Sequence, residues 1–347
     1  MSCFQFIDLF AGVGGMRIAF EDLGGECIYS CEKDPVASKV YMDYFGDDPL
    51  GDITTIKCDE VLPEPYDILL AGFPCQAFSM AGNRLGFDDD RGKLFDYLAD
   101  IIEETKPKAF LLENVKGLCS HKGGETMNYI LDRLRKAHYF VPEPKVLNAY
   151  DFNVPQRRER VYIVGFRDDL GICSFDYPKP LDRDEHSTID YILEKHVDNR
   201  YYLSQGYLDC LKNHKVEQKK KGRGYSYAIL DTSGPGNTLM TGGMGRERNL
   251  VYQKLVGDRT PTTGIHTPIN SEDIRRLTPR EFSRMQGFPR DFDANVSDTS
   301  AYRLFGNSVA INVVYNVGLS MLDALKNAGA IEDYQTRDPE SDRYDYR

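Results

Sequence analysis

Three places in this chain set reactive side chains beside points where the backbone must turn. In YDILLAGFPCQAFS, residues 66–79, the apolar run from Ile68 to Ala71 breaks at Gly72 and Pro74, and Cys75 follows at once. A strand ending in a Gly and Pro turn holds its next side chain on a stiff corner, and open α/β sheets bind ligands outside the carboxyl ends of their strands. A thiol there is a candidate nucleophile, because the thiolate is the reactive form and exposure with nearby positive charge favours it. Taken alone, Cys75 reads equally as a small apolar filler. The second place is Glu113-Asn114, after the apolar residues 109–112. A carboxylate there is costly to bury without a task. The third is QRRERVYIVGF, residues 156–166, where the period of two puts Arg158 and Arg160 on one strand face and Arg157 and Glu159 on the other. Two arginines together need an anion or polar ligand, or a salt bridge to a buried carboxylate.

The elements that must position them alternate strand and helix. A short apolar strand from Phe4 to Leu9 runs into FAGVGG, with Gly12, Gly14 and Gly15, and then into the helix-like RIAFEDLG. Strand, glycine turn and helix make a nucleotide-binding opening, although the spacing is not GxGxxG. A second strand, Glu26 to Cys31, ends at Glu32, 20 residues after Gly12. An acid there can take the ribose hydroxyls of an adenosine cofactor, or it is a helix-start acid before Pro35. Asp52 either accepts from an adenine amino group or serves a turn. The segment from Met80 to Lys93 reads as a long functional loop. Leu94, Phe95, Leu98, Ile101 and Ile102 repeat at helical spacing, and Pro107 stops that helix. A helix from Thr126 to Lys136, a strand around Val146 and a strand from Val161 to Phe166 follow.

The alternation stops at Asp182. The stretch from Lys212 to Arg223 reads as a solvated charged surface or a phosphate contact. GPGNTLMTGGMGRERN, residues 234–249, is glycine-dense and carries Arg246 and Arg248, whose forks suit guanine edges or phosphates. Thr278 reads as the N-cap of a helix with Pro279 at its first position. Phe305-Gly306-Asn307-Ser308 is expected to open a helix that continues to about Leu325. Beyond Ile331 the tail holds six acidic and three basic residues with few apolar ones, and disorder is expected.

Composition limits the setting. The net charge is −11, yet residues 183–293 hold 18 Lys and Arg against 15 Asp and Glu, so the acidic excess lies elsewhere. The eight cysteines are scattered without zinc-type pairs, so no metal is expected, and a reduced compartment makes disulfides unexpected. No run of about 18 apolar residues exists, so no membrane span is expected. The start MSCFQFIDLF lacks a basic then hydrophobic signal pattern and reads as cytoplasmic.

The blocks FIDLFAGVGG, GFPCQAFS, ENVKG, QRRERVYIVGF, RRLTPREFSRMQGFP and FGNSVAINVV, in this order, resemble the DNA cytosine-5 methyltransferases, especially the bacterial type II restriction-modification kind. The resemblance spans residue 4 to about 324. It implies an α/β fold: a Rossmann-like, mostly parallel S-adenosylmethionine-dependent methyltransferase sheet with a smaller inserted target-recognition domain. Residues 1–182 plus 300–330 would form the catalytic and cofactor domain, 183–299 the recognition domain and hinge, and 331–347 the acidic tail. The implied reaction moves methyl from S-adenosylmethionine to C5 of a flipped-out cytosine through a covalent Cys75–C6 adduct. Glu113 would engage N3 and the amino group, Arg158 would contact O2, Arg160 would support the site, and Asn114 and Pro74 would shape the pocket. The implied cofactor contacts are Phe10, Gly12, Gly14, Glu32, Asp52, Ile53, Leu94 and Asn307. Thr238 with Leu239 matches the family's threonine-leucine pair beside the flipped nucleotide, and Gln76, Ser79, Arg246 and Arg248 complete the DNA-facing set. The residues 80–93 would act as a lid. Double-stranded DNA is the implied partner, a cognate restriction endonuclease the companion this setting admits, and a monomer the expected state. Two alternatives carry different consequences: a tRNA substrate within the same family, and an inert DNA-binding relative.

Overall fold

The computed structural model describes residues 4–58, 62, 65–74, 93–224, 226–241, 246–257, 259, 268–336 and 344–346. Its centre is a seven-stranded sheet of β1 (Phe4–Leu9), β2 (Gly25–Cys31), β3 (Ile68–Ala71), β4 (Ala109–Val115), β5 (Tyr139–Phe140), β6 (Lys145–Asn148) and, beyond the two-residue β7 (Gln156–Arg157), β8 (Glu159–Arg167). The order is β2-β1-β3-β4-β8-β5, with β6 also paired to β8. The first four strands are parallel, and β8 runs antiparallel to β4, β5 and β6. The chain leaves β1 for β2 on one side and returns to β3 on the other, so the strand order reverses beside β1. A crevice at such a point is where α/β sheets bind ligands.

The period of two sorts β1 between two cores. Phe4 and Phe6 join the face covered by α1 (Gly15–Asp22) and the late chain, while Ile7 and Leu9 join the face covered by the helices Lys93–Thr105 and Glu125–Lys136. The helix Ile311–Asn327 returns to the first face. Its Val314, Val317, Met321, Leu322 and Leu325 are fully buried, each contributing roughly 1.5–3 kcal/mol. The stretch Asp298–Asn327 is apolar and long enough by composition to cross a membrane, but 56% of that window is buried in the protein.

Two expectations change here. Phe305, Gly306 and Asn307 end one helix, Asp298–Asn307, rather than open the next; Ser308 is extended, and a separate helix starts at Ile311. The break has a cause: the carbonyls of Phe305, Gly306 and Ser308 are bound by side-chain donors. The tail also differs from a disordered segment in its described parts. Tyr334 donates to Asp323, Lys326 pairs with Asp333, Tyr344 donates to Asp22, and Tyr346 donates to the Phe288 carbonyl beneath Arg284. Its tyrosines supply the apolar area that its acidic composition hides.

The segment 183–299 builds a small core of its own, with Leu203, Leu208, Leu211, Leu250 and Ile274. Ile189, Leu239, Leu277, Phe282, Met285 and Phe288 belong instead to the cluster under the main sheet. Thr278 caps the helix Pro279–Arg284 through a capping box with Glu281. Glu281 is wholly buried and paired at both oxygens with Arg275 at 2.7 Å.

Candidate active site

Because β1 to β4 are parallel, their carboxyl ends meet on one edge. Phe10, Glu32, the turn Gly72–Phe73–Pro74 and Glu113-Asn114 therefore share it. The reversed β8 brings its amino end to the same edge, where Arg160 is registered opposite Val115 and Tyr162 opposite Glu113. Sequence distance is thereby converted into contact: Arg160 Nε lies 3.2 Å from Glu113 Oε1. Glu113 is 8% exposed. Burial raises its pKa, and the charges of Arg160 and then Arg158 oppose that rise. A Cβ placed on Gly72 would fall 3.9 Å from Glu113 Oε2, so the carboxyl lies against the end of β3. Asn114 secures that end: its amide donates to the Phe73 carbonyl at 3.1 Å, while its oxygen accepts the Val115 N–H at 2.8 Å. Pro74 is half-buried. Cys75, Gln76, Ser79 and residues 80–92 lie outside the described residues.

The alternation in QRRER is as the period of two requires, with Arg157 and Glu159 exposed, Arg158 buried and Arg160 partly buried. The two arginines nevertheless stand in different surroundings. Arg158 is 2% exposed, and its guanidinium donates to the carbonyls of Ser308 (2.7 Å), Gly306 (3.1 Å) and Leu239 (3.4 Å). Its Nε, also buried, has no hydrogen-bond partner. Arg160 is the cation beside Glu113.

The glycine turn forms the cofactor side of the edge. Glu32 accepts the Gly12 N–H at 2.8 Å on one oxygen and the Asp34 N–H at 2.7 Å on the other. A carboxylate has about four acceptor sites, so two remain. Burial raises its pKa and these N–H bonds oppose the rise. Gly12 has a φ of +57°, and a Cβ there would meet nothing within 4 Å, which leaves open space along the turn. Phe10 holds a positive φ of 56°, uncommon for an aromatic residue and a mark of imposed geometry. Asp52 caps the short helix Ile53–Thr55 through the Thr54 N–H and pairs with Lys33 at 2.5 Å. The turn reading of Asp52 is therefore realised. Leu94 is half-buried, Ile53 buried, and Asn307 exposed.

Thr238 donates its hydroxyl to the Arg157 carbonyl at 2.5 Å, and the Leu239 N–H donates to the Gln156 side chain at 2.9 Å. The threonine-leucine pair is thus bonded directly to the strand that precedes Arg158. Arg248 is half-buried, and the side chain of Arg246 lies outside the described residues. Among the described residues no group of three or more His, Cys, Asp or Glu can hold a metal ion.

Sequence reasoning missed Gln156, Gln286 and Asp8. Gln156 shares the face of Arg158 and Arg160, so the same period would have found it. Gln286 gave no periodic signal. Asp8 interrupts the apolar strand FQFIDL; it is 1% exposed, Oδ2 has no hydrogen-bond partner, and burial lifts its pKa to about 8.

A family profile described as C-5 cytosine-specific DNA methylase matches residues 4–323. The Type II methyltransferase M.HpaII of Haemophilus parainfluenzae is 52% identical over 325 residues, covering 93% of this chain and 90% of that protein. The Type II methyltransferase M.DsaV of Dactylococcopsis salina is 42% identical over 322 residues, 92% and 86% of the two chains. Among solved structures, the Entamoeba histolytica methyltransferase EhMeth superposes with a TM-score of 0.73 at 18% identity, covering 94% of this chain and 99% of that one. The S. pombe Dnmt2 methyltransferase gives 0.68 at 22% identity, with 93% and 99% covered. At these identities the two structures establish a shared fold.

Proposed function

Because the chain belongs to the C-5 cytosine-specific DNA methylase family, we propose that it methylates C5 of a flipped-out cytosine in a short duplex sequence through a covalent Cys75 adduct. The observation that carries this reading is the meeting of Glu113, Arg160 and the β3 end that leads into Cys75 on one sheet edge. Cytosine C5 is a poor nucleophile. Addition of the Cys75 thiolate to C6 moves the ring's electron pair onto C5 and makes it enamine-like. Glu113, with its raised pKa, hydrogen-bonds N3 and the exocyclic amine and favours protonation at N3 as charge develops. Arg160, rather than Arg158, contacts O2. Asn114 and Pro74 hold the turn that presents Cys75. After C5 is alkylated, loss of its proton and expulsion of Cys75 restore the aromatic ring.

S-adenosylmethionine, when bound, supplies an electrophilic sulfonium methyl. The residues present fit it: Gly12 leaves room along the turn that Gly14 completes, Glu32 keeps acceptor sites for ribose hydroxyls, and Phe10 offers an aromatic face. Asp52, Ile53, Leu94 and Asn307 complete the set, with Asp52 exchanging Lys33 for the adenine amino group. Thr238, Gln76, Ser79, Arg246 and Arg248 face the duplex, and residues 80–93 close over the base. The segment 183–299 reads the target, and 1–182 with 300–330 performs the chemistry. In this reading the chain has a protective role beside a cognate endonuclease, in the cytoplasm and as a monomer; the relatives named Type II methyltransferases support the restriction-modification setting alone.

Bisulfite sequencing of plasmid DNA from cells expressing the chain tests this. Protected cytosines in one short recurring context, abolished by Cys75→Ser, are expected. Full conversion with methyl incorporation into tRNA, or a Cys75→Ser protein with unchanged turnover, overturns it.

A further inference from the structure

Behind the sheet edge lies a knot of three buried polar side chains, Gln156, Arg158 and Gln286, exposed by 0%, 2% and 0%. The Gln156 amide donates to the Met285 carbonyl at 2.8 Å and to Gln286 Oε1 at 3.1 Å, and its oxygen accepts the Leu239 N–H. Gln286 donates to the carbonyls of Phe305 (2.8 Å) and Ser308 (3.2 Å), and its own carbonyl accepts the Ile311 N–H. Arg158 holds Gly306, Ser308 and Leu239. Three carbonyls of one turn, 305–308, are therefore fixed by Arg158, which also holds Leu239 directly, and by Gln286, which reaches Leu239 through Gln156.

The packing of that turn gives a second, independent observation. On one side it presses on the glycine turn: a Cβ at Gly15 would fall 2.9 Å from both Ser308 Oγ and Val309 Cγ2. On the other it presses on the recognition segment: a Cβ at Gly306 would fall 3.0 Å from Thr241 Cγ2 and 3.3 Å from the Met240 carbonyl carbon. Residues 306–309 are a wedge, with the cofactor turn against one face and residues 240–241 against the other. The knot is buried and bonded to both faces of the wedge, with Arg158 Nε its one donor nitrogen left without a partner, so a shift of one face is transmitted to the other.

We propose that Gln286 is a positioning residue that, with Arg158, locks this wedge and couples occupancy of the cofactor turn to occupancy of the DNA-facing segment around Thr238. The inference rests on the reading of the chain as an S-adenosylmethionine-dependent DNA methyltransferase. It deepens that reading by assigning the coupling to a side chain that touches neither ligand. Linkage makes the effect reciprocal: the factor by which cofactor tightens DNA equals the factor by which DNA tightens cofactor.

The test is a binding cycle with S-adenosylhomocysteine and a short duplex carrying the cytosine context recovered by bisulfite sequencing. In the parent protein each ligand is expected to tighten the other by a factor of about 5–150. Gln286→Met keeps length and apolar fill but loses both donors. Gly306→Ala improves helix propensity, so the variant folds, yet pushes on residues 240–241. Both variants are expected to bind each ligand alone within about threefold of the parent while the coupling factor falls towards one. An unchanged factor in the variants, or a parent factor of one with both ligands bound, overturns the inference. Weaker binding of each ligand at an unchanged factor overturns it too, because that is plain structural support. A parent that binds neither ligand overturns the functional reading instead. If Gln286→Met does not fold, Gly306→Ala decides alone.

Discussion

Arg158 and Arg160 sit two residues apart on one strand face, and the structure requires their removal to fail in opposite ways. Arg158 lies 2% exposed and holds two carbonyls within 3.1 Å and a third at 3.4 Å. A hydrogen bond from a charged donor contributes roughly 1.5–3 kcal/mol, so Arg158→Ala costs about 3–5 kcal/mol. That is a large part of a total stability of about 5–15 kcal/mol. With an m-value on the order of 3 kcal/mol/M or more, the urea midpoint drops by about 1 M. Arg160 makes one ion pair at 3.2 Å, to a carboxyl already inclined to hold its proton. Arg160→Ala removes one of the two charges that oppose the burial rise at Glu113, and its stability loss is expected to be smaller than that of Arg158→Ala. Its effect falls on the chemistry, because a donor aimed at developing charge is removed, and kcat/KM drops by about 10²–10³. Urea unfolding of the apoprotein and methyl incorporation from tritiated S-adenosylmethionine separate the two. An Arg160→Ala protein that unfolds at lower urea than Arg158→Ala, or that keeps kcat/KM within about tenfold, refutes the division of roles.

Asp8 predicts a pH dependence. Its folded pKa of about 8 stands above the ordinary carboxyl value of 3.8, chiefly through burial, with Arg17 opposing and Glu32 and Glu21 adding to the rise. The native state thus keeps a proton that the unfolded chain has lost, so this stability is complete below about pH 4 and fades as pH climbs to 8. Asp8→Asn should flatten Tm against pH and stabilise the apoprotein at pH 8 by a few kcal/mol, roughly; parallel Tm curves would count against it. Glu281→Ala strands the fully buried Arg275 and should cost about 3–5 kcal/mol, whereas the double replacement Arg275→Met with Glu281→Leu should recover most of it, as read by denaturant midpoints. Gly14→Ala should lower Tm far more than Gly12→Ala: both hold positive φ, but only the Gly14 Cβ would collide, 2.2 Å from Phe45 Cε2. Equal losses in the two variants would show that the collision is relieved.

Strand ends were the most readable feature of the chain, because apolar runs that stop at Gly, Pro or an acid announce both the sheet and its working edge. Glu113, Glu32 and the glycine turn are legible that way, and the N-cap at Thr278 from residue types alone. What could not be read was direction. Apolar residues 161–166 look the same whether their strand runs up or down the sheet, and only the antiparallel pairing sets Arg160 opposite Val115. The different surroundings of the two arginines follow from this. A face predicted from period two names both, but depth behind the edge is decided by segments about 80 and 150 residues away, at Leu239 and at Gly306 to Ser308.

Those remote segments explain why a catalytic sheet needs the late chain at all. The break after Asn307 leaves helix-end carbonyls that must find donors. Their donors are Arg158 and Gln286, one from the strand beside the reactive edge and the other from the segment that follows the Thr278 helix. A continuous helix through 308–310 would satisfy its own carbonyls and would leave Arg158 buried with the Leu239 carbonyl as its one remaining acceptor of the three, a costly loss for an interior charge. The break and the buried arginine therefore require each other. Together they bind three distant parts of the chain into one edge, with Thr238 and Leu239 on one side and the glycine turn on the other.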